Sequence, residues 1–341
     1  MEYKNNQLAD NANQFFAGKK VLVTGAAGFI GSRLVQRLIE SGARVRAFPR
    51  YTSRPEFGNL VLLPPERFGQ IEIVRGDLED NSAVDAAVVG CEIVFHLGAL
   101  ISIPYSYVHP VETARTNIIG TLNMLESCRN HQVKLVHTST SEVYGTALRV
   151  PIDEEHPLQA QSPYSASKIG ADKLVESYHR SFDLPSLTVR PFNTYGPGQS
   201  NRAVIPTIIT QALTSNQIHL GNLDTKRDFT YLDDTVEGFL KAAINGKWDG
   251  QVYNLGTGIE VTIGEVAQKI FDYLQKQPEI IIDQERLRPE KSEVFRLVSD
   301  NSKARQEIDW QPQVSLEQGL AKTVEWIRRH PDHYQPGIYG R

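Results

Sequence analysis

Residues 20–31 read KVLVTGAAGFIG, and the fold follows from that stretch. Lys20–Thr24 is a short β-branched run, the pattern of a strand buried on both faces of a parallel sheet. Gly25, Gly28 and Gly31 follow it directly. Phe29–Ser41 then carries Ile30, Leu34, Val35 and Leu38 at helical spacing, and Gly42 ends the helix. Glycines at such a turn allow a tight bend and let a pyrophosphate approach the backbone. The helix N-terminus behind them offers free N–H groups and the positive end of its dipole. Placement between a strand and a helix makes these glycines a dinucleotide-binding signature.

Working outward, further strands are expected at Ala43–Phe48, Ile71–Val74, Ile93–Leu97 and Leu135–Ser139. Helical patterns lie at Ser82–Val89, Glu112–Asn130 and Pro163–Phe182. The alternation predicts an α/β protein, a Rossmann-like doubly wound parallel sheet with right-handed crossovers. That domain is expected over 18–186, with 229–258 returning to it through Phe229–Asn245 and a strand at Val252–Leu255. Residues 187–228 and 259–335, punctuated by Pro191, Pro197 and Pro206, read as a smaller C-terminal α+β substrate-binding lobe with helices at Ile263–Gln275 and Leu316–Arg329. The polar, Asn/Gln-rich residues 1–17 read as a loose arm anchored by Phe15 and Phe16.

Composition narrows the function. The 341 residues hold 36 Lys+Arg against 40 Asp+Glu, a net charge of −4, and this argues against nucleic acid or an anionic membrane surface as partner. Cys91 and Cys128 are the only cysteines, too few for a disulfide framework or a four-thiolate zinc site. No apolar run approaches the ~18 residues of a membrane span, and MEYKNNQLADNANQFF lacks the apolar core of a signal peptide. A soluble, cytoplasmic protein is expected. No HExxH, no clustered Cys/His and no P-loop occurs, so no metal site is expected, and His96 and His137 should pack at strand ends.

The expected second strand ends in RAFPRYTSR, with no Asp or Glu for a ribose 2′-hydroxyl. Arg50 stands near that place, with Ser53 and Arg54 close by, and a guanidinium there suits a 2′-phosphate. NADP is therefore expected, with NAD as the alternative. Asp77, in RGDLED, either accepts from the adenine amino group or caps the next helix. The cofactor site so read comprises Gly25, Gly28, Phe29, Ile30, Gly31, Arg50, Asp77, Leu78 and Leu97, together with Tyr164 and Lys168.

The fifth expected strand runs into HTSTSEVYG and delivers Ser139, Thr140, Ser141 and Glu142 to its C-terminal end, where ligands sit in open α/β sheets. Tyr164 and Lys168, in SPYSASKIG, lie one helical turn apart on one face. A lysine cation beside a phenol lowers the phenol pKa, so the phenolate can take a proton near neutral pH. Thr140, Ser141, Glu142, Tyr164 and Lys168 are the expected catalytic residues.

Together, TGAAGFIG, STSEVYG and YSASK resemble the extended short-chain dehydrogenase family, which acts on nucleotide-linked sugars; the resemblance runs from about Lys19 to Arg329. RPFNTYGPGQ (Arg190–Gln199) is similar to the family's substrate loop. LGNLDTKRDFTYLDD (Leu220–Asp234) and RPEKSEV (Arg288–Val294) resemble stretches of GDP-mannose 4,6-dehydratases. The resemblance implies a nucleotide-diphosphate sugar as substrate, with Ser106, Asn193, Arg202, Arg227 and Arg288 contacting it. It also implies a recycled, tightly bound cofactor and a homodimer through a four-helix bundle of Glu112–Asn130 and Pro163–Phe182, with Leu122, Leu125, Val175 and Tyr178 as apolar surface. Glu142 points to a proton removed from carbon, because a simple 4-epimerase needs no such carboxylate. Ser141 stands where dTDP-glucose dehydratases carry Asp, as in the GDP-mannose pattern. LGALISIPYSYVHP (Leu97–Pro110) and AVIPTIITQ look like the 4,6-dehydratases of legionaminic-acid-type pathways, which act on UDP- or GDP-linked N-acetylglucosamine. The implied reaction is C4 oxidation, C5/C6 elimination of water and hydride return. UDP-glucuronate decarboxylase, 4-epimerase and a non-catalytic NAD(P)-sensing scaffold are the alternatives. A decarboxylase needs a cation for the C6 carboxylate, and none occurs in the active-site strands or in Leu97–Pro110.

Overall fold

The computed structural model describes residues 11–52 and 57–334; Ser53 and Arg54 lie outside them. Six strands come first in chain order: β1 (Lys20–Thr24), β2 (Arg44–Phe48), β3 (Glu72–Ile73), β4 (Ile93–His96), β5 (Lys134–Thr138) and β6 (Ser186–Pro191). Strands β7 (Asn193–Tyr195), β8 (Gln217–Leu220) and β9 (Lys226–Tyr231) follow in the smaller lobe, and β10 (Asp249–Leu255) then returns. The main sheet has seven strands in the order β10-β6-β5-β4-β1-β2-β3, every pair parallel. The direction of winding reverses between β1 and β4, which puts a ligand crevice at the carboxyl ends of those strands. A sheet sandwiched between helices must be apolar on both faces. Val21 and Val23 meet Leu34 and Leu38 of helix α1 (Phe29–Glu40) on one side. Leu22 faces the other way, toward Val84 of α2 (Asn81–Val88) and Met124 and Leu125 of α3 (Gly120–His131).

Helix α4 (Pro163–Phe182), which carries Tyr164 and Lys168, begins with a capping box between Ser162 and Ser165, has Pro163 in its first turn, and ends at Asp183 in left-handed conformation, φ 51°. In the smaller lobe, β11 (Glu260–Thr262), β9 and β7 form a three-stranded sheet, and β12 (Glu279–Ile282) pairs with β8. Its core joins Ile208 and Ile209 of α5 (Val204–Thr214), Ile270 of α7 (Ile263–Leu274) and Val324 of α9 (Leu316–Arg329).

Several expectations are corrected. Residues 11–16 are helical, and Ala12 and Phe16 are buried in the main core; residues 1–10 of the expected arm lie outside the described residues. Residues 186–191, given mostly to the second lobe, are β6 of the main sheet, because Ser186–Pro191 pairs with both β5 and β10. Residues 302–310 also belong to the main core. Helix α8 (Ser302–Ile308) and Trp310 pack with Val236 and Phe239 of α6 (Leu232–Asn245). The expected helix Glu112–Asn130 is broken by a π turn at Arg115–Ile119 between Pro110–Ala114 and α3. Within it the Asn117 amide grips the backbone of Leu100 from both sides, accepting from its N–H at 2.8 Å and donating to its carbonyl at 2.9 Å. Leu125, Val175 and Tyr178, expected as outer surface for a partner, are buried in the chain's own core, and Leu122 packs against the same cluster. Tyr178 spends its hydroxyl on Glu126. The exposed apolar side chains of this region are Val111, Ile119 and Phe182.

Trp310 is fully buried and donates its indole N–H to the carbonyl of Asp234 at 2.8 Å, while the Asp234 carboxylate accepts from Gln313 and Val314, both at 3.0 Å. Trp310→Ala should therefore cost about 3–5 kcal/mol in urea unfolding. A loss below about 1 kcal/mol would contradict this account of the core.

Candidate active site

The glycine turn is built for a close approach. Gly25 has φ 66°, and a Cβ there would lie 2.9 Å from the amide nitrogen of Gly98; a Cβ on Gly31 would lie 2.2 Å from the carbonyl oxygen of Gly25. Helix α1 starts at Phe29 and Ile30 with no side-chain cap and no acid in its first turn, so its N–H groups are left for an anion. Leu97 and Gly98 continue β4 beside this turn, and the Gly98 N–H donates to Thr24 Oγ1 at 2.9 Å. Leu78 flanks the same edge, against Gly98 and Gly120. These features fit a dinucleotide.

Arg50 and Asp77, expected as separate cofactor contacts, are partners: Arg50 Nε donates to Asp77 Oδ2 at 3.1 Å, and Glu112 lies 3.8 Å from the same guanidinium. Asp77 also accepts from the N–H of Glu79 at 3.0 Å, capping the turn after β3.

Thr140 follows β5 and caps the short helix Ser141–Tyr144, its Oγ1 accepting from the Glu142 N–H at 3.2 Å. Ser141, Glu142, Tyr164 and Lys168 are all buried. Burial pushes the Tyr164 phenol up, the Thr140 hydroxyl pulls it down by hydrogen bonding, and the charges of Glu142 and Asp172 push it further up. Here the expectation of a lowered phenol is corrected, because burial outweighs the rest. Burial pulls the Lys168 ammonium down to about 8, with Asp172 acting the other way.

The second lobe closes over Glu142. Arg288 Nη1 lies 3.4 Å from Glu142 Oε2, and its Nε lies 3.9 Å from Glu293 Oε1. Arg227 Nη2 lies 3.7 Å from the same Glu293 oxygen. The structure thus gathers Arg227, Arg288 and Glu142, drawn from β9, a loop after β12 and the turn after β5. Asn193 opens β7 with its buried amide oxygen without a hydrogen-bond partner. Arg202 is exposed on the loop ahead of α5. Ser106 is fully buried, donates to the Ile103 carbonyl at 2.7 Å and accepts the Tyr164 N–H at 3.3 Å, so its hydroxyl seats the start of α4.

Behind the site runs a buried polar chain that motif reading missed. Asp172 accepts from Ser139 Oγ at 2.8 Å, from His137 Nε2 at 3.2 Å and from Arg190 at 3.0 and 3.2 Å. Arg190 also donates to the Tyr144 hydroxyl at 2.8 Å, which donates to Asn254 Oδ1 at 2.8 Å. His96 contacts Thr24 Oγ1 at 2.8 Å and Thr121 Oγ1 at 3.2 Å. Burial pushes the Asp172 carboxyl up, but His137, Arg190 and Lys168 outweigh it and hold it at about 2. The available signal was spacing: Asp172 continues the four-residue step from Tyr164 to Lys168.

The comparisons with known proteins agree with this geometry. The family model described as GDP-mannose 4,6 dehydratase matches residues 22–323. The chain is 35% identical over 322 residues to a UDP-glucose 4-epimerase of Mycolicibacterium smegmatis, covering 91% of this chain and 98% of that protein. It is 32% identical over 333 residues to a dTDP-glucose 4,6-dehydratase of Streptomyces niveus, covering 93% and 95%. The crystal structure of DesIV, a dTDP-glucose 4,6-dehydratase from Streptomyces venezuelae with NAD and TYD bound, superposes with a TM-score of 0.82 at 30% identity, covering 93% of this chain and 99% of that one.

The buried histidines give a pH signature. Burial holds His137 neutral, its pKa pulled from 6.5 to about 4. Unfolding therefore takes up a proton between those values. The stability is complete above pH 6.5 and falls as pH drops toward 4, by up to about 3 kcal/mol for this residue. His137→Gln should flatten that slope in urea unfolding measured between pH 7 and 4.5. An unchanged slope would show that His137 is not its source.

Proposed function

The chain belongs to the GDP-mannose 4,6-dehydratase family of NAD-dependent epimerases and dehydratases, and we propose that within it the protein is a nucleotide-sugar 4,6-dehydratase. The observation that carries this reading is the buried carboxylate of Glu142 beside Thr140 and Tyr164, which interconversion at C4 alone has no use for. The proposed substrate is a UDP- or GDP-linked N-acetylglucosamine or related hexose, and the product its 4-keto-6-deoxy form.

Gly25, Gly28 and Gly31, the first turn of α1 and Leu97 would hold a nicotinamide dinucleotide, with Tyr164 and Lys168. Bound there, it supplies the reversible two-electron oxidation of a sugar carbinol. Tyr164 takes the C4 hydroxyl proton; its hydrogen bond with Thr140 opposes the burial that resists its ionisation, and Lys168 stands one helical turn along the same face. A ketone at C4 acidifies the C5 proton. Glu142 removes that proton and delivers one to the departing C6 hydroxyl, which Ser141 orients. Arg227, Arg288, Asn193 and Arg202 are proposed for the diphosphate and nucleotide. A diphosphate that draws Arg288 to itself frees the Glu142 carboxylate for this work.

One observation favours a second reading. Arg288, 3.4 Å from Glu142, is a cation placed to receive a C6 carboxylate, the element that decarboxylation requires. Mass spectrometry of products from UDP-, GDP- and dTDP-linked sugars and a UDP-uronate separates the reactions. Loss of water supports dehydration, loss of carbon dioxide supports decarboxylation, and an unchanged mass with altered stereochemistry supports epimerisation.

Glu142→Gln should lose about 10²–10⁴-fold in turnover while retaining the first oxidation. Reduced-cofactor absorbance should then accumulate without dehydrated product; dehydration at the parental rate would remove Glu142 from the C5 step. The cofactor is proposed to be NADP. Arg50 must then exchange Asp77 for a 2′-phosphate, and Arg50→Ala should abolish the preference over NAD in binding titrations. Equal affinities in the parent enzyme would reverse this assignment. A homodimer is proposed through α3 and α4, with Ile119 and Phe182 among the covered side chains; a monomer in light scattering at micromolar concentration would exclude it.

A further inference from the structure

The catalytic helix carries one charged side chain more than this chemistry uses. Asp172 follows Lys168 by four residues, as Lys168 follows Tyr164, so the three share one face of α4. Its carboxylate is 5% exposed, and every hydrogen bond it accepts comes from the sheet side: Ser139 and His137 on and after β5, and Arg190 on β6. Arg190 is itself fixed through Tyr144 to Asn254 on β10. The carboxylate cannot swing, because three side chains hold it. The groups that interact with it are Tyr164 and Lys168 on its own helix, His137 and Ser139 on and after β5, and Arg190 from β6; Lys168 is faced also by His96 from β4 and by His137. Lys168 and Arg190 are buried cations, and Asp172 is the anion that interacts with both.

We propose that Asp172 is the positioning residue of the catalytic helix, a sheet-anchored carboxylate that keeps Lys168 in place as a cation beside Tyr164. The inference rests on Tyr164 and Lys168 being the proton-handling pair read above. It adds a residue that touches neither sugar nor cofactor. A lysine 4% exposed with no opposing anion sheds its proton, since burial alone disfavours the charged form. Lys168 already stands at about 8, with burial pulling it down and Asp172 holding it up. Activity that needs the ammonium is present below that value and is lost as pH rises through it. Removing the carboxylate moves the loss to lower pH.

A cavity of about 650 Å³ between α4 and β10 has Asp172 and Arg190 in its wall, and Lys173 and Arg180, both exposed, beside them. A small carboxylate can therefore reach the place of a deleted Asp172 side chain. The test is an NMR titration of Lys168 in ε-¹³C-lysine protein, assigned through Lys168→Arg and independent of turnover. In Asp172→Asn the titration should fall by about one pH unit or more. The basic limb of kcat should move with it, while KM for the sugar nucleotide changes by less than about twofold. Formate added to Asp172→Gly should restore both. Asp172→Glu keeps a carboxylate and serves if the Asn variant does not fold; its Lys168 should titrate as in the parent. An unmoved titration in Asp172→Asn, a Gly variant that formate leaves unchanged, or a Glu variant shifted away from the parent value overturns the inference. The reading it rests on fails differently: the parent would reduce no nicotinamide with any nucleotide sugar, while the Lys168 titration stayed measurable.

Discussion

The contact between Asp172 and Arg190 is the constraint on which the rest of the site depends. Helix α4 could lie on the sheet in many rotations if only apolar groups met there, because burial has no direction. A buried carboxylate that accepts at 3.0 and 3.2 Å from one guanidinium, and again from His137 and Ser139, allows one rotation. That rotation sets Tyr164 and Lys168 along the carboxyl edge of β5. Ser106 fixes the start of the same helix through the Tyr164 N–H. Chemistry at the strand ends is thus positioned by polar contacts one layer below it.

The second lobe contributes charge rather than scaffold. Glu142 comes from the turn after β5, and its cationic neighbour Arg288 lies 146 residues further along the chain. Arg227 and Glu293 complete a largely buried group, with Arg288 at its partly exposed side, in which two arginines and two glutamates balance. Buried charges persist only when paired. An anion entering this group would add negative charge, and the pairing would have to change.

The strands and long helices were legible because their signals are local. KVLVT and the turn behind it gave β1 and α1, and Pro163–Phe182 was bounded correctly because Ser162, Pro163 and the left-handed Asp183 are short-range punctuation. Thr140, Glu142, Tyr164 and Lys168 were singled out by their spacing after a strand, and the fold places Thr140 and Glu142 beside Tyr164. What the motifs did not show was set at long range. The π turn at Arg115–Ile119 lets Asn117 reach Leu100. The pairing of Arg50 with Asp77 joins the ends of two strands. Leu125 and Val175 were misread as outer surface because an amphipathic pattern does not say which neighbour covers it. The hydrogen bond from the Tyr164 N–H to Ser106 joins residues 58 positions apart, which no local pattern announces.

The return of β10 to the sheet also bears on how the chain can be made and cut. The second lobe's first three strands, Asn193–Tyr231, are threaded between β6 and β10, so the main sheet lacks its last strand until residue 255 has been synthesised. A fragment ending near residue 191 would expose β6, buried along its whole length in the full chain, as a bare edge, the kind of surface that recruits other strands. It would also lack Trp310, which covers α6. The two lobes are therefore not separable cassettes, and shuffling the smaller lobe among relatives requires cuts at several junctions rather than one.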